Sequence, residues 1–255
     1  MPADPALLAL REVGHSFGGL SVLRSVTFDV PAGEIVGLIG PNGSGKTTLF
    51  NIVSGYIRPL VGSILYRGAP FGRETIQQRS HAGLVRTFQT PQVFEKMTVL
   101  ENVMAGCCKL TRTSVLQDLF RTPTARGQLR EIREQAEAAC ERFQLAGMRD
   151  LPAASLTAGQ RRILEIARAV VGKPSLLLLD EPSSGLNGQE IENLREWIVR
   201  LNADDGMTVL LVSHDMGLMT VANMVHTLYF GEIIASGDMA AIQRHPKVRE
   251  VYLGV

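Results

Sequence analysis

Residues 40–47 read GPNGSGKT, directly after the short apolar run EIVGLI and directly before a helical pattern. Few features restrict a fold as tightly. Glycines let the chain wrap a phosphate with its N–H groups, and the helix that follows adds the positive end of its dipole. Lys46 reaches the phosphate charge, and the Thr47 hydroxyl offers an oxygen to a magnesium ion. Such a loop belongs at the carboxyl end of a buried parallel strand, which predicts an α/β sheet with its ligand at the strand ends. PSLLLLD (174–180) and MTVLLVSH (207–214) are two more continuous apolar runs bounded by turn residues, the pattern of strands covered on both faces.

The rest of the 255 residues arranges itself around that core. The first 70 or so alternate short strands with glycine turns, as in SVLRSVTFDVPAGE and GSILYRGAP, which predicts an antiparallel β layer. From Pro91 to Ala154 the pattern turns helical, with Leu129, Ile132, Ala136, Cys140 and Phe143 along one face. We expect one domain over 1–255, with a helical subdomain at about 91–164 inserted in it. The chain is 45% apolar, enough for a full core, and carries 26 Lys and Arg against 25 Asp and Glu. That balance offers no basic field for nucleic acid. No stretch approaches the 18 or so apolar residues of a membrane span, and the start MPADPALLALREV lacks the charged region of a leader, so a cytosolic location is expected. Cys107, Cys108 and Cys140 fit neither a disulfide framework nor a metal knuckle and read as packing residues.

Four further positions carry chemistry. Asp180 ends a buried run, where a carboxylate without a cation is costly, so a metal-bound water is a natural partner and a turn or capping role the alternative. Glu181 follows at the strand mouth, placed to polarise or deprotonate a water, although an adjacent acid is equally a solvated one. His214 ends the next buried run, and Gln89 stands in VRTFQT; taken singly, each reads as an ordinary strand-end or loop residue. SLTAGQRRILEIARAV (155–170) sets a small polar turn before an amphipathic helix, with Thr157 as N-cap and Ile163, Ile166, Ala167 and Val170 facing the core. That helix start is also a second place for an anion.

Taken in order, the phosphate loop, Gln89, LTAGQ, LLLLDEP, SSGLN and VSHD resemble the ATP-binding cassette of ABC transporters over nearly the whole chain. The resemblance implies a P-loop NTPase fold: a mostly parallel core sheet, an N-terminal antiparallel β layer and a helical subdomain. It implies ATP and Mg2+ as ligands. Gly40, Asn42, Gly43, Ser44, Gly45, Lys46, Thr47 and Thr48 would hold the phosphates and Phe17 would stack on adenine. Thr47, Gln89 and Asp180 would serve the metal. Gln89 would sense the γ-phosphate and the attacking water, Glu181 would be the catalytic base, and His214 would contact the γ-phosphate as a switch. One chain needs only one phosphate loop, and by the resemblance Thr157, Gly159 and Gln160 of the signature turn would close over the partner's ATP in a head-to-tail dimer.

Four positions depart from the common family pattern. Thr157 replaces a serine and keeps the hydroxyl, and Ala158 replaces a glycine. Asn187 stands where many members carry aspartate and can cap the next helix. Phe17 replaces the commoner tyrosine, and stacking needs only its ring. RTFQTPQVFEKMTVLENVMAG, the long helical insert, GLN after Glu181 and the tail VREVYLG are most like the ATP-binding subunits of branched-chain amino acid uptake systems, and urea or short-amide uptake subunits are similar in the same places. The partners so implied are a second ATP-binding subunit, identical or not, polytopic transmembrane permease subunits and, indirectly, a periplasmic substrate-binding protein. The location implied is peripheral, on the cytoplasmic face of the inner membrane, with docking at Gln89–Phe94 and Asp150–Ser155. A soluble ABC ATPase acting on DNA or ribosomes is the alternative in another class. A P-loop GTPase or small-molecule kinase lacks both an N-K-x-D motif here and any use for LTAGQ.

Overall fold

The computed structural model describes residues 6–107 and 123–253, so Cys108 and the final glycine of the VREVYLG tail lie outside it. The chain divides into two compact units: one made of the residues up to Gln89 together with those from Ser175 onward, the other of Thr90–Pro174.

The first unit is built on two sheets. Strands β1 (Ala6–Phe17), β2 (Leu20–Pro31), β4 (Val61–Tyr66) and β5 (Ala69–Pro70) form an antiparallel sheet in the order β2-β1-β4-β5. The second sheet runs β10-β9-β3-β8-β7-β6. Its members are β3 (Ile35–Ile39), β6 (Leu84–Arg86), β7 (Leu176–Asp180), β8 (Thr208–Val212), β9 (Met224–Tyr229) and β10 (Glu232–Gly237). All its pairs are parallel except β9 with β10. Every residue of β3, β7 and β8 is buried, as the unbroken Val, Ile and Leu runs require of strands covered on both faces. Both neighbours of β3 come much later in the chain. The strand therefore ends at a switch point, where crossovers leave opposite ways and open a crevice at the carboxyl ends.

Helix α1 (Lys46–Ser54) buries Leu49, Phe50, Ile52 and Val53 among Leu8, Leu10, Val26, Leu38, Leu178 and Leu210, one core shared with both sheets. At about 25 cal/mol per Å² of apolar area removed from water, each such side chain stabilises the unit by roughly 1.5–3 kcal/mol. Its remaining helices are α2 (Ile76–His81), α6 (Gly188–Asp205), α7 (Met216–Met219), α8 (Met239–Arg244) and α9 (Pro246–Leu253).

The second unit packs α3 (Val99–Gly106), α4 (Pro123–Arg142) and α5 (Ala158–Val170). Cys107 and Cys140 are buried, as packing residues should be. Of the apolar face read for α4, Ile132, Ala136, Cys140 and Phe143 are buried, but Leu129 is 58% exposed. Twenty residues of α4 reach about 30 Å, against about 12 Å for the eight of α3, so among the described residues its N-terminal turns outrun their partner. Ile163 on α5 is likewise only half-buried, whereas Ile166, Ala167 and Val170 are fully covered.

Candidate phosphate-binding and hydrolytic site

Gly40 follows β3 so closely packed that a Cβ would lie 2.2 Å from the Leu228 carbonyl oxygen and 2.6 Å from Ser44 Oγ. Gly45 is at φ 108, outside the range of ordinary side chains, and is the residue from which α1 starts. It gives α1 no side-chain cap, and the first turn holds no acidic residue. The N–H groups there are left for an external acceptor. The other end of α1 is closed: Gly55 donates its N–H to Asn51 and Ile52, and the buried Arg79 guanidinium donates to the Ile52 and Val53 carbonyls. Within the loop, Gly231 N–H donates to the Ser44 carbonyl at 3.0 Å, and Ser44 Oγ is buried without a partner. Lys46 turns its Nζ onto the carbonyls of Gly40 (2.6 Å) and Pro41 (3.0 Å). Burial pushes its pKa below the ordinary lysine value, against the opposing pull of Glu181 and Asp180. Asn42, Gly43 and Thr47 are exposed and Thr48 partly so.

The carboxylates stand at the end of β7. Asp180 is almost fully buried, and its Oδ2 accepts a 2.6 Å bond from Arg86 Nη2. Glu181 leaves the strand at φ 45, a left-handed conformation that strains a residue with a side chain and recurs at functional sites. Its N–H donates to the Val212 carbonyl at the end of β8, and its Oε2 accepts from the His214 N–H (3.2 Å) and lies 2.7 Å from His214 Nδ1. Glu181 is only 14% exposed and His214 69%, so the histidine faces outward and holds a shielded acid. Ser183 Oγ bonds Ser213 Oγ, which accepts the Asp215 N–H and so ties SSGLN to VSHD. Gln89 is exposed at the boundary of the unit, three residues beyond Arg86.

Phe17 ends β1, 51% exposed, its ring edge-on to His15 at 4.7 Å. Thr157, in the second unit, caps α5: its Oγ1 accepts the Gln160 N–H (3.2 Å) and the Gln160 side chain accepts the Thr157 N–H (2.9 Å). Gly159 is buried in the first turn. Asn187 caps α6 in the same reciprocal way with Glu190. The segments read as docking surfaces are laced together, Val99 to Leu151, Leu100 to Arg149, Ala153 to Met97 and Ala154 to Glu95, leaving Phe94 and Leu151 exposed.

No group of three or more His, Cys, Asp or Glu that could hold a metal occurs among the described residues. Magnesium needs none, because it keeps several waters and takes one or two carboxylates plus phosphate oxygens. The Asp180 carboxylate, the Thr47 hydroxyl and the Gln89 amide are oxygen donors of the kind such a set would draw on, and the orphaned Ser44 Oγ inside the loop suits a phosphate oxygen. Arg86 and Arg79 were not anticipated. The only signal for Arg86 was its place in VRTFQT, since a lone arginine carries no spacing.

A glycine-started helix behind a buried strand, with an acid pair at the end of β7, one strand removed from β3 in the same sheet, defines a P-loop α/β protein. A model of the ABC transporter family matches residues 23–184, and the chain belongs to that family. A second model, described as a branched-chain amino acid ATP-binding cassette transporter, matches residues 232–255. The high-affinity branched-chain amino acid transport ATP-binding protein LivG of Escherichia coli is 37% identical over 97% of this chain and 98% of its own length. BraF of Pseudomonas aeruginosa, with the same description, is 37% identical over 93% and 94%. The ADP conformation of an ATP-binding cassette of an ABC transporter superposes with a TM-score of 0.85 at 30% identity, over 99% of this chain and all of that one. The α/β class with its antiparallel layer and helices is the one read from the sequence.

Proposed function

We propose that the chain is the ATP-hydrolysing subunit of an importer for branched-chain or related amino acids, working through separate membrane subunits. The relatives LivG and BraF support the substrate class, and no helix among the described residues is long and apolar enough to cross a membrane, in keeping with a peripheral subunit at the cytoplasmic face of the inner membrane. The partners are a second ATP-binding subunit arranged head to tail, polytopic permease subunits and, through them, a periplasmic binding protein.

In this reading the N–H groups from Gly40 to Thr48, with Asn42, Gly43, Ser44 and Gly45 shaping the turn, enclose the phosphates, and Lys46 leaves its two carbonyls for their charge. Phe17 stacks on adenine. Thr47, Asp180 and Gln89 hold Mg2+, which when bound neutralises phosphate charge. Glu181 accepts the proton of the attacking water, while His214 orients Glu181 and reaches the γ-phosphate. Thr157, Gly159 and Gln160 close over the partner's nucleotide, and closure moves the membrane subunits through the segments around Phe94 and Leu151. The observation that carries the reading is the Glu181–His214 pair, 2.7 Å apart on adjacent strand ends of the sheet that carries the loop.

Glu181→Gln keeps shape and removes the base. Hydrolysis is expected to fall at least a hundredfold, about 2.7 kcal/mol of barrier, with ATP binding retained and an ATP-bound dimer accumulating on size-exclusion chromatography. A monomer with unaltered turnover would remove Glu181 from the reaction.

A further inference from the structure

Asp180 does not stand alone at the end of β7. Arg86, on the edge strand β6, reaches it with Nη2 at 2.6 Å and turns Nη1 to Asn51 Oδ1 and Ser54 Oγ on α1, both at 2.8 Å. The arginine side chain is 7% exposed and the aspartate 10%. Rings of Phe50, Tyr56 and Phe88 lie 5.6, 5.7 and 5.4 Å from the guanidinium carbon and fix it from the sides. A cation so enclosed cannot leave by rotating into water.

We propose that Arg86 is a positioning residue of the hydrolytic site: it is the resident counter-ion of Asp180, and its charge sets how tightly the site holds a divalent cation. The proposal rests on reading Asp180 as a magnesium-site carboxylate. Two carboxylates, Asp180 and Glu181, face two enclosed cations, Lys46 and Arg86, so the side chains of the site are close to charge balance among themselves. A metal ion arriving beside Asp180 finds a carboxylate already oriented but half-neutralised. Orientation favours binding and the second cation opposes it. The magnitudes decide: even in a medium as polarisable as water, charges of one and two units ~6 Å apart interact enough to change affinity about tenfold, and burial increases the effect. Charge therefore outweighs orientation, and Arg86 keeps magnesium binding weak enough to reverse when product leaves.

The test is a magnesium titration of the full-length protein at saturating ADP, read by thermal unfolding, which reports ligand affinity without turnover. Arg86→Gln, which retains a hydrogen-bonding amide and loses the charge, is expected to lower the midpoint magnesium concentration about tenfold. Arg86→Lys, which keeps the charge and loses the fork, is expected to stay within about twofold of wild type. A folded glutamine variant with an unchanged or raised midpoint overturns the proposal and leaves Arg86 a prop between β7 and α1. If the glutamine variant does not fold, the lysine variant decides alone, and a shift beyond about fivefold overturns it. Asp180→Asn separates the premise: loss of the magnesium response supports the site, whereas an untouched response removes Asp180 from the metal and the proposal with it.

Discussion

Arg162 and Glu165 sit one turn apart on α5, almost wholly buried and joined at 2.6 Å, and the Glu165 carboxylate also accepts the Gln92 N–H at 3.1 Å. Arg168 donates to the Gln92 carbonyl and lies 5.1 Å from the Phe94 ring. A helix that carries the signature turn thus also anchors the segment leading to Phe94. Removing one partner of a buried pair leaves the other's charge in low dielectric, so Glu165→Ala is expected to cost about 3–5 kcal/mol, read from urea unfolding. Replacing the pair together, Arg162→Met with Glu165→Leu, is expected to recover most of that loss; a Glu165→Ala variant within about 1 kcal/mol of wild type would contradict the account. None of this was legible. Helical periodicity sorts residues by polarity, which places Ile166, Ala167 and Val170 inside, sets Ile163 deeper than it lies and carries no signal for a buried Arg162–Glu165 pair. Arg86 escaped for the same reason, whereas Lys46 and Thr47 were read because loop spacing, not polarity, marks them.

Among the elements, those whose sequence has one dominant cause were readable. β3, β7 and β8 are buried on both faces and are therefore apolar but for Thr208 at the start of β8 and Asp180 at the end of β7, and Thr157 and Asn187 announce helix starts by the reciprocal bonds they make. β6 has three residues, too few for any period, and β9 places a histidine and a threonine in the interior, which no apolar pattern anticipates. His226 on β9 bonds Ser236 Oγ on β10 at 2.7 Å and packs on Phe28 at 4.6 Å. Burial pushes its pKa down to about 4, with Asp29 pulling weakly the other way. The unfolded chain, near 6.5, then binds more protons than the folded one between those two values. Stability is complete above about pH 6.5 and falls as pH drops towards 4, by up to about 3 kcal/mol. Urea midpoints at pH 7.5 and 4.5 are expected to differ more in the wild type than in His226→Gln, because carboxylates titrate alike in the two proteins. An equal difference would mean that His226 is protonated in the folded state.

Across the whole molecule, the order of motifs along the chain carried more than any motif alone, and it raised the question of what the signature turn serves. The first unit already supplies a phosphate loop with its own uncapped helix, and the turn at Thr157 belongs to the other unit, its cap satisfied by Gln160. A shared-site dimer gives that turn a use, and complementation tests it. Lys46→Ala damages the loop and Gly159→Asp the turn, so each variant alone is expected to be nearly inactive, every site carrying one lesion. When the two are mixed, a heterodimer with shared sites gathers both lesions into one site and leaves the other wholly intact. Random pairing makes half the dimers mixed, each with one good site, so hydrolysis is expected to recover to about a quarter of wild type if the sites act independently. Cooperativity between sites lowers that figure without removing the intact site, which nucleotide trapping detects, in an assembly with the membrane subunits if the isolated chain dimerises weakly. If the turn instead served its own chain's phosphate, each mixed dimer would hold one site broken at Lys46 and one broken at Gly159. Verified heterodimers would then restore neither hydrolysis nor trapping, and the head-to-tail arrangement would have to be abandoned.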